Sequence, residues 1–210
     1  MLKKEKKRIV ILAAILVMGI AGYIGSSKLA KQVEAVDYQK GMAEEILRFH
    51  VIANSDSEED QALKMKVKEE VVKYVSTLTS CGEDLESTEY ILGLYLEEIK
   101  EVAEQVIRKE GYTYEAKVEL TESYFPIKTY GDAVFPAGIY DALKIQIGEA
   151  QGKNWWCVLY PNLCFVDSAY GVLDTEQKEM LKNVLTEEEY ESIFNTSSDK
   201  IKISFKLFSK

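Results

Sequence analysis

The sequence predicts an α+β fold: a single domain in which a mixed or antiparallel sheet is packed by about three helices, behind an N-terminal membrane or export helix. Three observations lead there. Short segments with alternating polarity, suited to strands, lie among longer stretches with the apolar spacing of helices. No internal repeat or low-complexity linker divides the chain. A run of sixteen uncharged residues, Ile9 to Ile24, comes after a cationic start.

That start comprises Lys3, Lys4, Lys6, Lys7 and Arg8, with Glu5 the one acid in residues 1–25. A cationic stretch and then an apolar one is the order of an export signal, and the positive-inside rule carries the rest of the chain across the membrane. At 1.5 Å per residue the run reaches about 24 Å, short of the roughly 30 Å hydrocarbon core unless Gly25 to Ser27 are included. Residues 1–25 are therefore expected to be a signal peptide or membrane anchor, 26–45 a connector and 46–210 the folded domain. The protein is expected to be exported, either secreted or held in the membrane through residues 9–24. Its formal charge is −9, and the residues after 25 carry 21 bases against 34 acids. So acidic a body is ill suited to nucleic acid, where binding rests on neutralising phosphates, and is repelled by anionic lipid surfaces.

Within the domain, Ile46 to Ile52 reads as a strand with Leu47, Phe49 and Val51 on one face and Ile46, Arg48, His50 and Ile52 on the other. Asn54-Ser55-Asp56 breaks it. Ser57 then opens a helix with Glu58 and Glu59 in its first turn and Asp60 at the capping-box position. Leu63, Val67, Val71, Tyr74, Val75 and Leu78 form its apolar stripe. A second helix is predicted from about Ser87 to Lys109, stopped at Gly111, with Ile91, Leu92, Tyr95, Ile99, Val102 and Val106 on its stripe. Tyr112 to Thr121 alternates as a strand, Phe125-Pro126 to Phe135-Pro136 is a punctuated connection, and strands are expected near Gly138–Gly148 and Lys153–Tyr160. A third helix is expected over Thr175–Phe194 and a last alternating strand over Lys200–Phe208.

No catalytic constellation stands out. His50 is the single histidine and sits in a strand beside Arg48, a place for packing or hydrogen bonding. The nucleophile elbow, the glycine-rich phosphate loop and the aspartic-protease tripeptide are all missing from the sequence. Ser197-Ser198-Asp199-Lys200 is a chance Ser-x-x-Lys. The oxygens of Asn54 to Asp60 are spaced like calcium ligands, but Glu59 stands where such a loop needs glycine, and helix capping accounts for the run. No cofactor, metal or small-molecule substrate is expected, and the protein is read as a non-enzyme.

The unusual chemistry lies in Trp155-Trp156. A strand there points Trp155, Cys157 and Leu159 to one face and Trp156, Val158 and Tyr160 to the other. Either the strand is central and covered on both faces, or one indole meets a partner. Trp155, Trp156 and Tyr160 are thus candidate partner-binding residues, with Asn54 and Asp56 of the acidic turn as the next candidates. Cys157 and Cys164 flank a Tyr160-Pro161-Asn162 turn, and export permits a disulfide between them, but spacing leaves bridged and free thiols equally open. Cys81 is the odd thiol.

Three segments in order carry a resemblance: Val51 to Gln61 with the helix after it, Phe125 to Tyr140 with Tyr130-Gly131 and Phe135-Pro136-Ala137-Gly138, and Asn154-Trp155-Trp156-Cys157-Val158-Leu159-Tyr160-Pro161 through Phe165. Over about residues 46–167 the chain resembles the stage II sporulation protein R family of endospore-forming bacteria. It departs from the pattern at His50, where a basic Arg is usual, and at Asn162, where a second Pro is usual. The resemblance implies a signalling protein made in the forespore and exported to the space between the two membranes separating it from the mother cell. There it would activate a membrane-embedded aspartic protease of the mother cell, which removes the pro-sequence of sigma-E. The alternative is an exported cell-envelope hydrolase acting through carboxylates.

Overall fold

The computed structural model describes residues 38–79, 84–164 and 172–194. The expected signal or anchor at residues 1–25 with its apolar run 9–24, Cys81, the Ser197–Lys200 match and the strand at Lys200–Phe208 lie outside them. No helix among the described residues is long and apolar enough to cross a membrane.

Residues 38–45 are helical (α1) and lead into β1 (Leu47–Ile52). The order continues with α2 (Glu58–Thr79), α3 (Leu85–Leu94), α4 (Leu96–Lys109), β2 (Ala116–Phe125), β3 (Lys128–Tyr130), β4 (Ala133–Phe135), β5 (Gly138–Ile147), β6 (Asn154–Tyr160), α5 (Thr175–Val184) and α6 (Glu187–Phe194). Four strands form a mixed sheet in the order β2-β5-β1-β6, while β3 and β4 make a separate hairpin. β1 runs parallel to β5 and antiparallel to β6.

Alternation along β1 sorts the two cores. Leu47, Phe49 and Val51 face α2, α3 and α4, joining Leu63, Val67, Val71, Val75, Leu92, Ile99, Ala103 and Ile107 in one cluster. One row crosses all four strands on this face: Leu120, Leu143, Phe49 and Cys157. The opposite face carries Arg48 and His50, in register with Ala142 and Lys144. Its apolar cluster joins Met42, Ile46, Phe125, Phe135, Tyr140 and Val158 to Leu181, Leu185 and Ile193. The sheet is therefore covered on both faces, by α2 to α4 on one and by α1, the hairpin and the C-terminal helices on the other.

The α+β class and the mixed sheet agree with the sequence, but the described residues contain six helices where about three were expected. Residues 38–45, assigned to a connector, are helical. The predicted second helix bends at Tyr95 (φ −112°, ψ 20°), which ends α3 and starts α4. The apolar phase runs through the bend, since Leu92 and Ile99 are two helical turns apart, so periodicity does not reveal it. The third helix divides at Leu185 and Thr186. Leu185 is extended, and the Thr186 and Glu189 side chains cap α6 reciprocally: the Thr186 amide donates to Glu189 Oε2 at 3.0 Å and the Glu189 amide to Thr186 Oγ1 at 3.3 Å. The expected strand from Tyr112 begins at Ala116 and continues to Phe125, and the Pro-bounded connection contains the β3–β4 hairpin.

Arg48 is fully buried. Its Nε donates to the Cys157 carbonyl at 3.0 Å and its Nη2 to the Tyr130 hydroxyl at 3.1 Å. The guanidinium carbon lies 4.5 Å from the Phe125 ring centroid, 5.1 Å from Tyr140, 5.5 Å from Phe135 and 5.7 Å from Tyr130. Nη1 has no hydrogen-bond partner among the described residues. Burial lowers the pKa, opposed by Tyr130 and Tyr140. Cation–π attraction from several rings offsets part of the desolvation cost. Arg48→Ala is expected to cost about 3–5 kcal/mol, because it opens a cavity at the centre of this box. Arg48→Met keeps the volume and removes the orphaned donor, so it should cost under about 1.5 kcal/mol or stabilise. Urea unfolding of both variants decides between volume and charge; equal, large losses would show that the guanidinium itself is required.

Candidate partner-binding site

Among the described residues β6 pairs with β1 alone and lies at an edge of the sheet, not its centre. Its faces are nonetheless covered. Trp155 meets Phe49 edge-on at 5.9 Å between centroids, with Lys68 Nζ 5.0 Å above the indole. Trp156, on the other face, stacks on His50 at 4.9 Å with planes 3° apart and meets Phe125 at 4.7 Å. Both indoles are half-buried and belong to different cores, so truncating either opens a gap in one of them.

Tyr160 departs from the alternation. Leu47 pairs with Tyr160 and Arg48 with Val158, so two steps along β6 match one along β1. This irregularity turns Tyr160 to the face of α2 to α4, where it packs with Leu159, instead of placing it beside Trp156 and Val158. Just beyond, the Tyr160–Pro161 peptide is cis, and Leu163 N–H donates to the Val158 carbonyl at 3.2 Å. A disulfide joins Cys157 to Cys164, whose Cα atoms are 5.5 Å apart. The chain thus turns back on the end of β6 and holds Tyr160 at the mouth of a cleft of about 430 Å³. Its walls come from the end of α2 (Ser76, Thr79), the start of α3 (Thr88) and α5 (Met180, Val184).

Asn54 and Asp56 sit at the other end of β6, six residues or about 20 Å along the strand from Tyr160. Both amide atoms of Asn54 and one carboxylate oxygen of Asp56 are engaged internally. Asn54 Nδ2 donates to Asp60 Oδ2 at 2.8 Å, and Asn54 Oδ1 accepts the Glu149 amide at 2.9 Å. Asp56 Oδ1 accepts the Lys153 amide at 2.7 Å. The turn clips the β5–β6 connection so closely that a Cβ on Gly152 would stand 2.1 Å from the Ser55 carbonyl oxygen. Asp60 takes no part in a reciprocal capping box. Its amide donates to Ser57 Oγ at 3.1 Å, while its carboxylate accepts from Asn54 and Ser55. Burial alone would raise that carboxyl, but hydrogen bonds from Ser55, Asn54 and Tyr114 outweigh it and hold Asp60 below the usual range. The five candidate residues therefore do not converge: three lie along β6, and two are structural fastenings at its far end. The residues that sequence reasoning missed are Arg48 and the cleft walls around Tyr160. A charged residue inside an apolar alternation was the available signal for Arg48; nothing local marks the walls, which come from four elements.

His50 is buried, with Nδ1 3.0 Å from Asn154 Oδ1 and Nε2 without a partner among the described residues. Desolvation lowers its pKa; Lys144 and Arg48 lower it further, while Asn154 and Glu119 work in the opposite sense. The unfolded chain takes up this proton first as pH falls through about 6.5. The stability His50 contributes is therefore full above that pH and is lost progressively toward the lower folded pKa, with a slope of at most about 1.4 kcal/mol per pH unit. Urea midpoints at about pH 7.5 and 5.5 should fall for the unaltered protein and fall less for His50→Phe, which keeps the stacking. Equal falls would contradict this assignment.

Comparison with known proteins adds a shared lineage to this geometry. The family model described as Stage II sporulation protein R matches residues 43–170, which run from α1 through β6 and its disulfide. The chain is 34% identical over 179 residues to the Stage II sporulation protein R of Bacillus subtilis (strain 168), covering 84% of this chain and 80% of that one. No solved structure matches the chain. With the Arg48 strand, the acidic turn and the Trp155-Trp156 strand all inside the matched span, the chain belongs to the stage II sporulation protein R family.

Proposed function

We propose that this protein is an exported sporulation signal that activates a membrane-embedded aspartic protease of the mother cell, which then processes the sigma-E precursor. Family membership carries the reading. The cationic-then-apolar order of residues 3–24 supports export from the forespore into the intermembrane space. A two-faced core with a cleft at one end of β6 suits a domain that acts by presenting a surface.

One observation favours the carboxylate-hydrolase alternative. Glu89 of α3 and Asp141 of β5 line a small cleft of about 190 Å³. Burial, then Asp141 and Glu86, push the Glu89 carboxyl up, as a general acid requires. Release of soluble fragments from peptidoglycan by the full chain, abolished by Glu89→Gln, would replace the signalling reading.

The test is co-expression of the full chain with the protease and the sigma-E precursor, with processing monitored on gels. Shortened sigma factor should appear only when all three are present. Removal of residues 1–25 should abolish processing wherever the protein must cross a membrane to reach the protease. Full processing by the truncated protein made in the forespore would contradict the export step.

A further inference from the structure

We propose that the groove around Tyr160 receives an extended segment of the partner protein in which a lysine or arginine lies beside apolar side chains. The inference rests on the protease-activating reading only for the owner of that segment; the chemistry of the groove stands by itself.

The shape comes first. The cleft of about 430 Å³ adjoins a second of about 420 Å³, and Tyr160, Asn183 and Val184 line both. Each is of a size that takes a peptide side chain with room for its neighbours. Tyr160 thus forms the divide of one groove, and the disulfide-closed turn after β6 fixes its position.

The two halves differ in chemistry. Leu159, Pro161, Met180 and Val184 give the first an apolar wall beside the uncharged hydroxyls of Ser76, Thr79 and Thr88, and methionine adapts readily to different side chains. The second is lined by Glu45, Asp84 and Glu86. Among the described residues none of these three forms an ion pair and no Lys or Arg lines either cleft. Hydrogen bonds from Ser87 hold Asp84 below the usual carboxylate range, so its charge persists. Burial, then Asp84 and Glu45, pushes the Tyr160 phenol up, so its hydroxyl stays a neutral hydrogen-bond donor. Asn183 is exposed on the shared wall and available to a passing backbone amide. A field of one sign beside an apolar wall selects a cationic side chain with an apolar neighbour and accelerates its encounter. It rejects acidic segments and offers a neutral apolar peptide only half a site.

The probe is a fluorescent peptide of roughly eight residues alternating lysine and leucine, compared with its glutamate–leucine counterpart. Binding to the full chain in detergent is measured by anisotropy at about 20 and 300 mM salt. The lysine peptide should bind, more tightly at low salt, and the glutamate peptide should not. The combined variant Glu45→Gln, Asp84→Asn, Glu86→Gln keeps the shape and the α3 cap, and should weaken binding about tenfold while its melting temperature stays near that of the unaltered protein. Equal binding of both peptides, or no loss in the variant, would overturn the proposal. Binding that tightens about tenfold when residues 195–210 are removed would overturn it differently, by assigning the groove to the chain's own lysine-rich C-terminus. Sigma-E processing by the same variant separates this inference from the function above. Processing lost with peptide binding supports the groove as the docking surface, and processing retained overturns it while leaving the signalling reading intact. Absence of processing by the unaltered protein would overturn the signalling reading, whatever the peptide does.

Discussion

A guanidinium buried without a carboxylate among the described residues organises this fold. Arg48 extends from the middle of β1 into a box of Phe125, Tyr130, Phe135 and Tyr140, and its two hydrogen bonds reach β6 and β3. Through one side chain, the central strand, the edge strand and the small hairpin are held in a single arrangement. Lysine could not replace it, since a compact ammonium has neither the planar fork for two directed bonds nor the flat face for stacking. The hairpin it secures is latched again at its tip, where Asp132 accepts the Leu173 amide at 2.9 Å and Lys178 Nζ at 2.6 Å. The second face of the sheet is thus closed by these polar contacts as well as by its apolar cluster, and the bond from Arg48 to the Cys157 carbonyl ties β6 to it.

How much of the structure is legible in the sequence depends on how far each signal reaches. The alternation in β1 and the stripe of α2 are local periodicities, and both faces came out as read: Leu63, Val67, Val71 and Val75 are buried against Leu47, Phe49 and Val51. The opposed directions of Trp155 and Trp156 obey the same rule. Tyr160 fails it because a register slip opposite Leu47 and Arg48 is decided by pairing with a distant strand, which alternation cannot report. The bend at Tyr95 leaves the helical phase intact and so leaves no trace beyond Gly93 in the last turn of α3. The split at Thr186 was legible, because Thr186-Glu187-Glu188-Glu189 is a capping-box pattern inside what reads as one helix. The edge position of β6 among the described strands and the groove at its end depend on sheet order and on five separate elements, and no window of sequence contains them.

The acidic turn from Asn54 to Asp60 shows how a conspicuous motif can serve the fold. Asn54, Asp56 and Asp60 direct side-chain bonds at Glu149, Lys153 and each other while Glu58 and Glu59 stay exposed, and Gly152 is required for the approach. The surface proposed for a partner is the other end of β6. There Glu45 from α1, Asp84 and Glu86 from the start of α3, and Met180 and Val184 from α5 surround Tyr160, at the turn that the Cys157–Cys164 disulfide closes. A family member whose proposed task is to switch on a membrane protease needs a rigid surface more than it needs a reactive group, and this end of the molecule supplies one.

The most direct test of that assignment is site-specific photo-crosslinking in sporulating cells. A photoreactive residue is placed at position 160 and, separately, at position 124, where Tyr124 is 61% exposed on the opposite sheet edge. The account predicts a covalent adduct with the mother-cell protease from position 160 and none from position 124. An adduct from position 124 with none from position 160 would contradict it.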